Sequence, residues 1–120
     1  MARVLVIEDE EIVRGVLRRM LSIDGHEVID AADGETGLER YRIAAPDIVF
    51  VDLLMPAMSG YDVIEALRQR DPAAKIVAMT AVGEAALRIA EEKGADGSLL
   101  KPFRISSVLR IVRDLARVNR

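Results

Sequence analysis

Apolar residues along this chain follow two alternating rhythms. Short, nearly unbroken runs lie at Arg3–Ile7, Asp47–Asp52, Lys75–Thr80 and Gly97–Leu100, with a more mixed one at Glu27–Ala31. Runs of four to six apolar residues without alternation suit strands covered on both faces. Between them the apolar positions fall at helical spacing. Ile12, Val13, Val16, Leu17, Met20 and Leu21 form the first stripe, opposite Arg14, Arg18 and Arg19. Leu38 and Tyr41 mark a weaker one, Val63, Ile64 and Leu67 a third, and Glu84–Lys93 holds a fourth helix. Ile105, Val108, Leu109, Val112, Leu115 and Ala116 give the last helix a continuous apolar face.

The punctuation agrees with this division. Asp24-Gly25 and Gly94 follow helices where a left-handed residue ends them well. Asp33-Gly34 opens the second helix and Pro46 ends it, and Ser59 with Asp62 three residues on reads as the N-terminus of the third. Asp71-Pro72 stops that helix. The outcome is five strand–helix units joined by two to eight residues, without a linker, repeat or low-complexity tract. Such alternation predicts a parallel sheet with helices on both faces. The pattern leaves the strand order open, and with it three readings: a nucleotide binder, a flavin carrier or a phosphoacceptor.

Composition narrows the class. With 120 residues, 51% of them hydrophobic, residues 1–120 are expected to form one domain with a core of its own and no effector domain. The absence of cysteine excludes disulfides and thiolate chemistry. The first apolar run turns acidic too early for a signal peptide, and no run reaches membrane-spanning length, so a cytoplasmic protein is expected. A net charge of −3 argues against direct nucleic-acid binding. Arg104, Arg110, Arg113, Arg117 and Arg120 near the last helix read as a solvated basic face.

The chemistry lies at the strand ends. In a parallel sheet the C-terminal ends share an edge, where open α/β sheets bind ligands. Here that edge would collect Glu8 and Asp9, Asp52, Thr80 and Lys101. The first loop reads Glu8-Asp9-Glu10-Glu11, four carboxylates and no glycine. A nucleotide-binding loop needs glycines and a helix N-terminus open to phosphate, so this one repels phosphate unless a cation intervenes. Oxygen ligands at close quarters suit Mg²⁺, and the hydroxyl and ammonium suit an anion beside it. Glu10 and Glu11 read more simply as acids favoured in a first helical turn. The lone His26 sits in a tight turn with no chemical role expected, and Met55 and Met58 are expected to pack.

Several strings at these strand ends carry a resemblance. Val4-Leu5-Val6-Ile7-Glu8-Asp9, Val51-Asp52-Leu53-Leu54-Met55-Pro56 with Gly60, Met79-Thr80-Ala81, and Gly94-Ala95-Asp96 with Lys101-Pro102-Phe103 follow in order. Together they make the chain resemble a response-regulator receiver domain from Arg3 to about Val118. The resemblance implies a flavodoxin-like three-layer αβα fold with five parallel strands in the order 2-1-3-4-5. It implies that Asp52 accepts a phosphoryl group from the phosphohistidine of a sensor histidine kinase or phosphotransfer protein. Glu8, Asp9, Asp52 and the backbone carbonyl of Leu54 would ligate Mg²⁺, while Thr80 and Lys101 would meet phosphoryl oxygens. Pro102 would follow a cis peptide bond. The domain would catalyse only its own phosphorylation and dephosphorylation. It would signal through the fourth helix, fifth strand and fifth helix, as a monomer or weak homodimer.

Three residues depart from the family's pattern. Ser98 stands where an aromatic or histidine usually reports the switch, so the partner of Thr80 in switching is a small hydroxyl. Leu54 and Val82 stand where faster-hydrolysing relatives often carry water-orienting polar groups, which implies slow loss of the phosphoryl group. Ser98 also supports a second reading, an interaction module that works without phosphorylation.

Overall fold

The computed structural model describes residues 1–118. Five strands alternate with five helices: β1 (Arg3–Ile7), α1 (Glu11–Ile23), β2 (Glu27–Ala31), α2 (Gly34–Ala44), β3 (Ile48–Asp52), α3 (Gly60–Arg70), β4 (Ile76–Thr80), α4 (Glu84–Glu92), β5 (Gly97–Leu100) and α5 (Ile105–Val118). All pairs are parallel, and the strand order is β2-β1-β3-β4-β5. This is the flavodoxin-like order that the resemblance implied.

The local signals work as their chemistry predicts. Asp33 accepts the Thr36 backbone N–H at 2.8 Å and starts α2, and Ser59 accepts that of Asp62 at 3.3 Å and starts α3. Gly25 and Gly94 follow their helices at φ 84° and 121°, a region that a side chain would make costly. β3 and β4 each begin one residue later than the apolar runs suggest, and α4 closes on Lys93 as its cap. The Lys101–Pro102 peptide bond is cis.

β3 and β4 are buried along their whole length, as expected of central strands covered on both faces. One core layer joins Leu38, Val63, Ile64, Leu67, Leu87 and Ala90 of α2, α3 and α4 to the sheet. The other joins Leu17, Leu21, Val108 and Val112 of α1 and α5 to its opposite face. The α1 stripe is only partly used for this. Leu17 and Leu21 are buried, whereas Ile12 is 82% exposed and Val16 also faces solvent. Both line an apolar groove with Val13, Ala81, Pro102 and Phe103. Helical spacing identifies an apolar face, but Ile12 and Val16 stand beside residues that follow the ends of β4 and β5, so the core covers only the part of the face that lies farther along α1.

A guanidinium ties together the end of the sheet far from the acidic loop. Arg68 of α3 donates to the carbonyls of Pro72, Ala74 and Gly94 and to Asp96 Oδ2, which also accepts the Ile76 N–H at 2.9 Å. It thereby fixes the starts of β4 and β5 relative to α3. His26 is likewise structural, since its Nδ1 accepts the Ala2 N–H at 3.0 Å. Met55 and Met58 pack against the first core layer. Arg104, Arg110 and Arg113 are exposed, consistent with a solvated face, while Arg117 and Arg120 lie outside the residues whose side chains are described. Among the described residues, no helix is long and apolar enough to cross a membrane.

Candidate functional site

Register converts five separate sequence positions into one cluster. Ile7 lies beside Val51, Asp52 beside Met79, and Thr80 beside Leu100. The residues that end or follow these strands therefore emerge on the same edge. Two backbone bonds hold the far side of it: Leu53 N–H donates to Met79 O at 2.9 Å, and Lys101 N–H to Thr80 O at 2.7 Å. The second bond places a lysine from the β5–α5 connection against the end of β4.

Among the described residues, Glu8, Asp52 and Thr80 are the buried polar or charged ones, and all three lie here. The Lys101 ammonium sits between two carboxylates, 2.7 Å from Glu8 Oε1 and 3.1 Å from Asp52 Oδ1. Glu8 Oε2 accepts the Glu10 N–H at 3.1 Å, and Arg14 donates to the Glu8 carbonyl at 2.8 Å. Asp9 is half-buried, and one ligand atom each from Glu8, Asp9 and Asp52 lie within 4.8 Å of one another. The Thr80 hydroxyl accepts the Val82 N–H at 3.2 Å. It braces the loop rather than capping α4, whose N-cap is Gly83.

Ionisation in this cluster is uphill. Burial raises the Asp52 carboxyl above its ordinary range, against the pull of Lys101, and Asp9 and Glu10 push it further the same way. Burial likewise raises Glu8, opposed by its bonds to Lys101 and the Glu10 N–H. Burial alone would lower Lys101, but hydrogen bonds to Glu8 and Asp52 outweigh it and the ammonium is held above its usual value. Three carboxylates against one ammonium leave a negative surplus. Two carboxylate charges about 5 Å apart repel by roughly 3 kcal/mol at an effective dielectric near 20. Such a cluster fits a hard divalent cation with oxygen ligands, in particular Mg²⁺, which tolerates few protein ligands and keeps waters.

The remaining predicted positions lie on the neighbouring loops and on β5. Leu54 and Val82 are both exposed at the rim of the site, and Ser98 is half-buried in β5 opposite Ala78. One residue of the matching strings, Gly60, gains its physical reason from the packing. Gly60, the first residue of α3, donates its N–H to Leu53 O at 3.0 Å, so closely packed that a Cβ there would lie 2.2 Å from the Asp52 carbonyl oxygen. In the sequence it stands out as the glycine eight residues after Asp52 in the string that carries the resemblance, with no reason of its own.

Comparison with known proteins points one way. Residues 4–113 match the family model described as "Response regulator receiver domain". The chain is 37% identical over 120 residues to the chemotaxis protein CheY of Thermotoga maritima, covering 98% of each. It is 42% identical over 118 residues to the probable transcriptional regulator ycf27 of Porphyridium aerugineum, covering 92% of this chain and 49% of that protein. It thus spans about half the length of its ycf27 relatives. Among solved structures, a response regulator receiver domain protein from Clostridium thermocellum superposes with a TM-score of 0.93 at 26% identity, covering 99% and 97% of the two chains. TrrA of Thermotoga maritima, solved in complex with Mg²⁺-BeF, gives 0.88 at 30% identity, covering 96% and 99%.

Proposed function

Because the chain belongs to the response-regulator receiver family, we propose that it takes a phosphoryl group onto Asp52 from a histidine kinase or phosphotransfer protein. The observation that carries this reading is the single ammonium of Lys101 held 3.1 Å from Asp52, on an edge shared with Glu8, Asp9 and Thr80. An oxygen of Asp52 attacks phosphorus; the bond from phosphorus to the donor's imidazole nitrogen breaks, and that electron pair stays with the imidazole. Glu8, Asp9, Asp52 and the Leu54 carbonyl would hold Mg²⁺, which would offset the charge of the transferring group. Lys101 leaves its carboxylates for a phosphoryl oxygen, and the Thr80 hydroxyl turns from the Val82 N–H toward another. Catalysis is thus positioning and electrostatics, limited to the protein's own phosphorylation and dephosphorylation.

Residues 1–120 act as one cytoplasmic receiver unit, monomeric or weakly dimeric. The signal leaves through the surface of α4, β5 and α5, with a protein rather than nucleic acid as its direct recipient. Ser98 lacks a ring to follow Thr80 inward, so the displacement of Thr80 and its loop is the main readout. Intact mass after incubation with acetyl phosphate tests the reading: one phosphoryl group is gained with Mg²⁺ and none with EDTA. Labelling that ignores EDTA would refute it.

Asp9→Ala separates metal binding from structure. Removing one carboxylate relieves repulsion on Asp52, so the variant should melt higher than wild type without metal. Millimolar Mg²⁺ should stabilise the wild type, by about 2.7 kcal/mol at a hundredfold excess over Kd, and leave the variant unmoved. Thermal melts decide it; a variant that melts lower and still responds to Mg²⁺ has lost a structural residue, not a ligand.

The lifetime of the phosphorylated state follows from the rim. Leu54 and Val82 offer no hydrogen-bonding group to orient an attacking water. A polar residue that does so contributes about tenfold, or roughly 1.4 kcal/mol of barrier. Leu54→Asn and Val82→Glu should each shorten the half-life, and the pair more than either. Decay of the phosphoprotein after donor removal measures this, and an unchanged double variant would assign water access to the loops instead.

A further inference from the structure

His26, the chain's lone histidine, completes a ladder that the backbone cannot. In the parallel β1–β2 pair Arg3 lies beside Glu27, and Ala2 makes the rung before it. The Ala2 carbonyl accepts the Glu27 N–H at 3.0 Å. Continued by one more bond, the same ladder would send the Ala2 N–H to a carbonyl at position 25. There the chain has already turned, with Gly25 at φ 84° and its N–H on Ser22 O. The His26 side chain takes over, and its Nδ1 accepts the Ala2 N–H at 3.0 Å. Ala2 belongs to the core: it is 3% exposed and shares a layer with Val4, Leu21 and Val112. The imidazole therefore fastens the start of the first strand.

That contact fixes where the ring carries its proton. A backbone N–H only donates, so Nδ1 must present its lone pair. The one ring proton of the neutral form then sits on Nε2, 3.1 Å from Asp24 Oδ2. A second proton would turn both ring nitrogens into donors and set N–H against N–H at Ala2. The ring has little room to turn away into water, since its side chain is 11% exposed. Among the described residues lining the adjoining cavity of about 430 Å³, Asp24 is the one acid, facing Arg113 of α5 and the Met1 amine. Glu27, the next residue along, is paired with Arg3 at 3.1 Å. α1 gives the turn its Leu21 carbonyl and adds no charged side chain of its own to that cavity. The Ala2 N–H thus requires the neutral ring, whereas Asp24 attracts the charged one. We propose that His26 is a pH-sensitive fastener, holding Ala2 and the start of β1 while neutral and releasing them when it takes a second proton. Because Val112, Arg113 and Ala116 line the same cavity, release also loosens the contact between β1 and the second half of α5. The device is independent of phosphoryl transfer.

The test is an NMR titration of the whole ¹⁵N-labelled chain across the window in which imidazoles titrate, about pH 5 to 8. The reporter is the Glu27 amide, whose partner is the Ala2 carbonyl. At the alkaline end the ring-nitrogen shifts should place the proton on Nε2. There the Glu27 amide should exchange with solvent about tenfold or more slower than in an unstructured peptide at the same pH. As the ring takes its second proton, that protection should fall with the same midpoint. His26→Asn sets an amide oxygen where Nδ1 stands and does not titrate, so protection should persist to the acid end. His26→Leu offers no acceptor and should show the weakened protection at both ends. Asp24→Asn removes the attraction for the charged ring, so release should move to lower pH. A proton found on Nδ1 of the neutral ring, protection that ignores the titration of the ring, or the same pH-dependent loss in His26→Asn would overturn the proposal. Should a variant fail to fold, the wild-type titration decides by itself.

Discussion

Asp52→Asn will carry no phosphoryl group after incubation with acetyl phosphate and Mg²⁺, under conditions that label the wild type once. The amide nitrogen has no free pair for phosphorus, and the amide oxygen is far less nucleophilic than a carboxylate. Among the described residues, no other carboxylate combines burial at this edge with the Lys101 ammonium except Glu8, whose side chain has no solvent exposure from which to meet a donor. The variant also supplies its own folding control. Asp52 has a raised carboxyl in the folded state, chiefly through burial, so the native protein binds more protons than the unfolded chain between the unfolded and folded values. Stability from this group is therefore lost as pH rises through that window, and at neutral pH its ionisation weighs against the fold. An amide removes that burden, and Asp52→Asn should melt no lower than wild type in metal-free buffer. Intact-mass spectra and melts of both proteins check the two halves. Equal labelling of the variant would move the acceptor to another residue.

Gly60→Ala will be among the most destabilising single-methyl additions this fold can receive. The clash is with backbone on every side: an alanine Cβ would lie 2.2 Å from Asp52 O, 2.6 Å from Leu53 Cα and 2.8 Å from the Asp52 carbonyl carbon. A side chain in the way can rotate; these atoms can move only by shifting the end of β3 or the start of α3. Relief by movement would stretch the Gly60 N–H bond to Leu53 O. Overpacking of this kind costs about 3 kcal/mol or more, and a domain of this size then melts roughly 10 °C lower. The shift would also displace the Asp52 main chain, so labelling by acetyl phosphate should slow even where the fold survives. Gly15→Ala, on α1, where a Cβ meets nothing within 4 Å, is the matched control: helix propensity alone should raise its melt by the few degrees that about 1 kcal/mol gives, with labelling near wild type. A Gly60→Ala melt within about two degrees of wild type would show that the β3–α3 connection gives way more easily than its contacts indicate.

Sequence determined the elements and their chemistry for physical reasons that are local. The unbroken runs ending at Asp52 and Thr80 are strands because they bury both faces, and the structure buries them fully. Asp33 and Ser59 start helices because their oxygens accept the next free N–H groups, a contact made within three residues. The acidic first loop excludes a phosphate cradle wherever it sits in the fold, since its charge is a property of its composition. The strings around Glu8-Asp9, Asp52, Thr80 and Lys101-Pro102 pointed to the family and its strand order, which alternation alone left undetermined.

Tertiary structure decided what depends on separations that a linear pattern does not contain. Which carboxylates Lys101 meets is set by how the ends of β1 and β3 and the β5–α5 connection come together, leaving its ammonium 2.7 Å from Glu8 and 3.1 Å from Asp52. The coverage of α1 depended on what lies beside each turn of it. Ile12 and Val16 stand beside residues that follow the ends of β4 and β5, which is why they belong to the apolar stripe and yet remain outside the core. Thr80 could brace a loop or cap a helix on sequence alone, and the path of the β4–α4 connection chose the loop. Gly60 showed the same dependence most sharply. Its glycine is required by the closeness of β3 and not by its own dihedral angles, and that closeness exists only once strand and helix have packed.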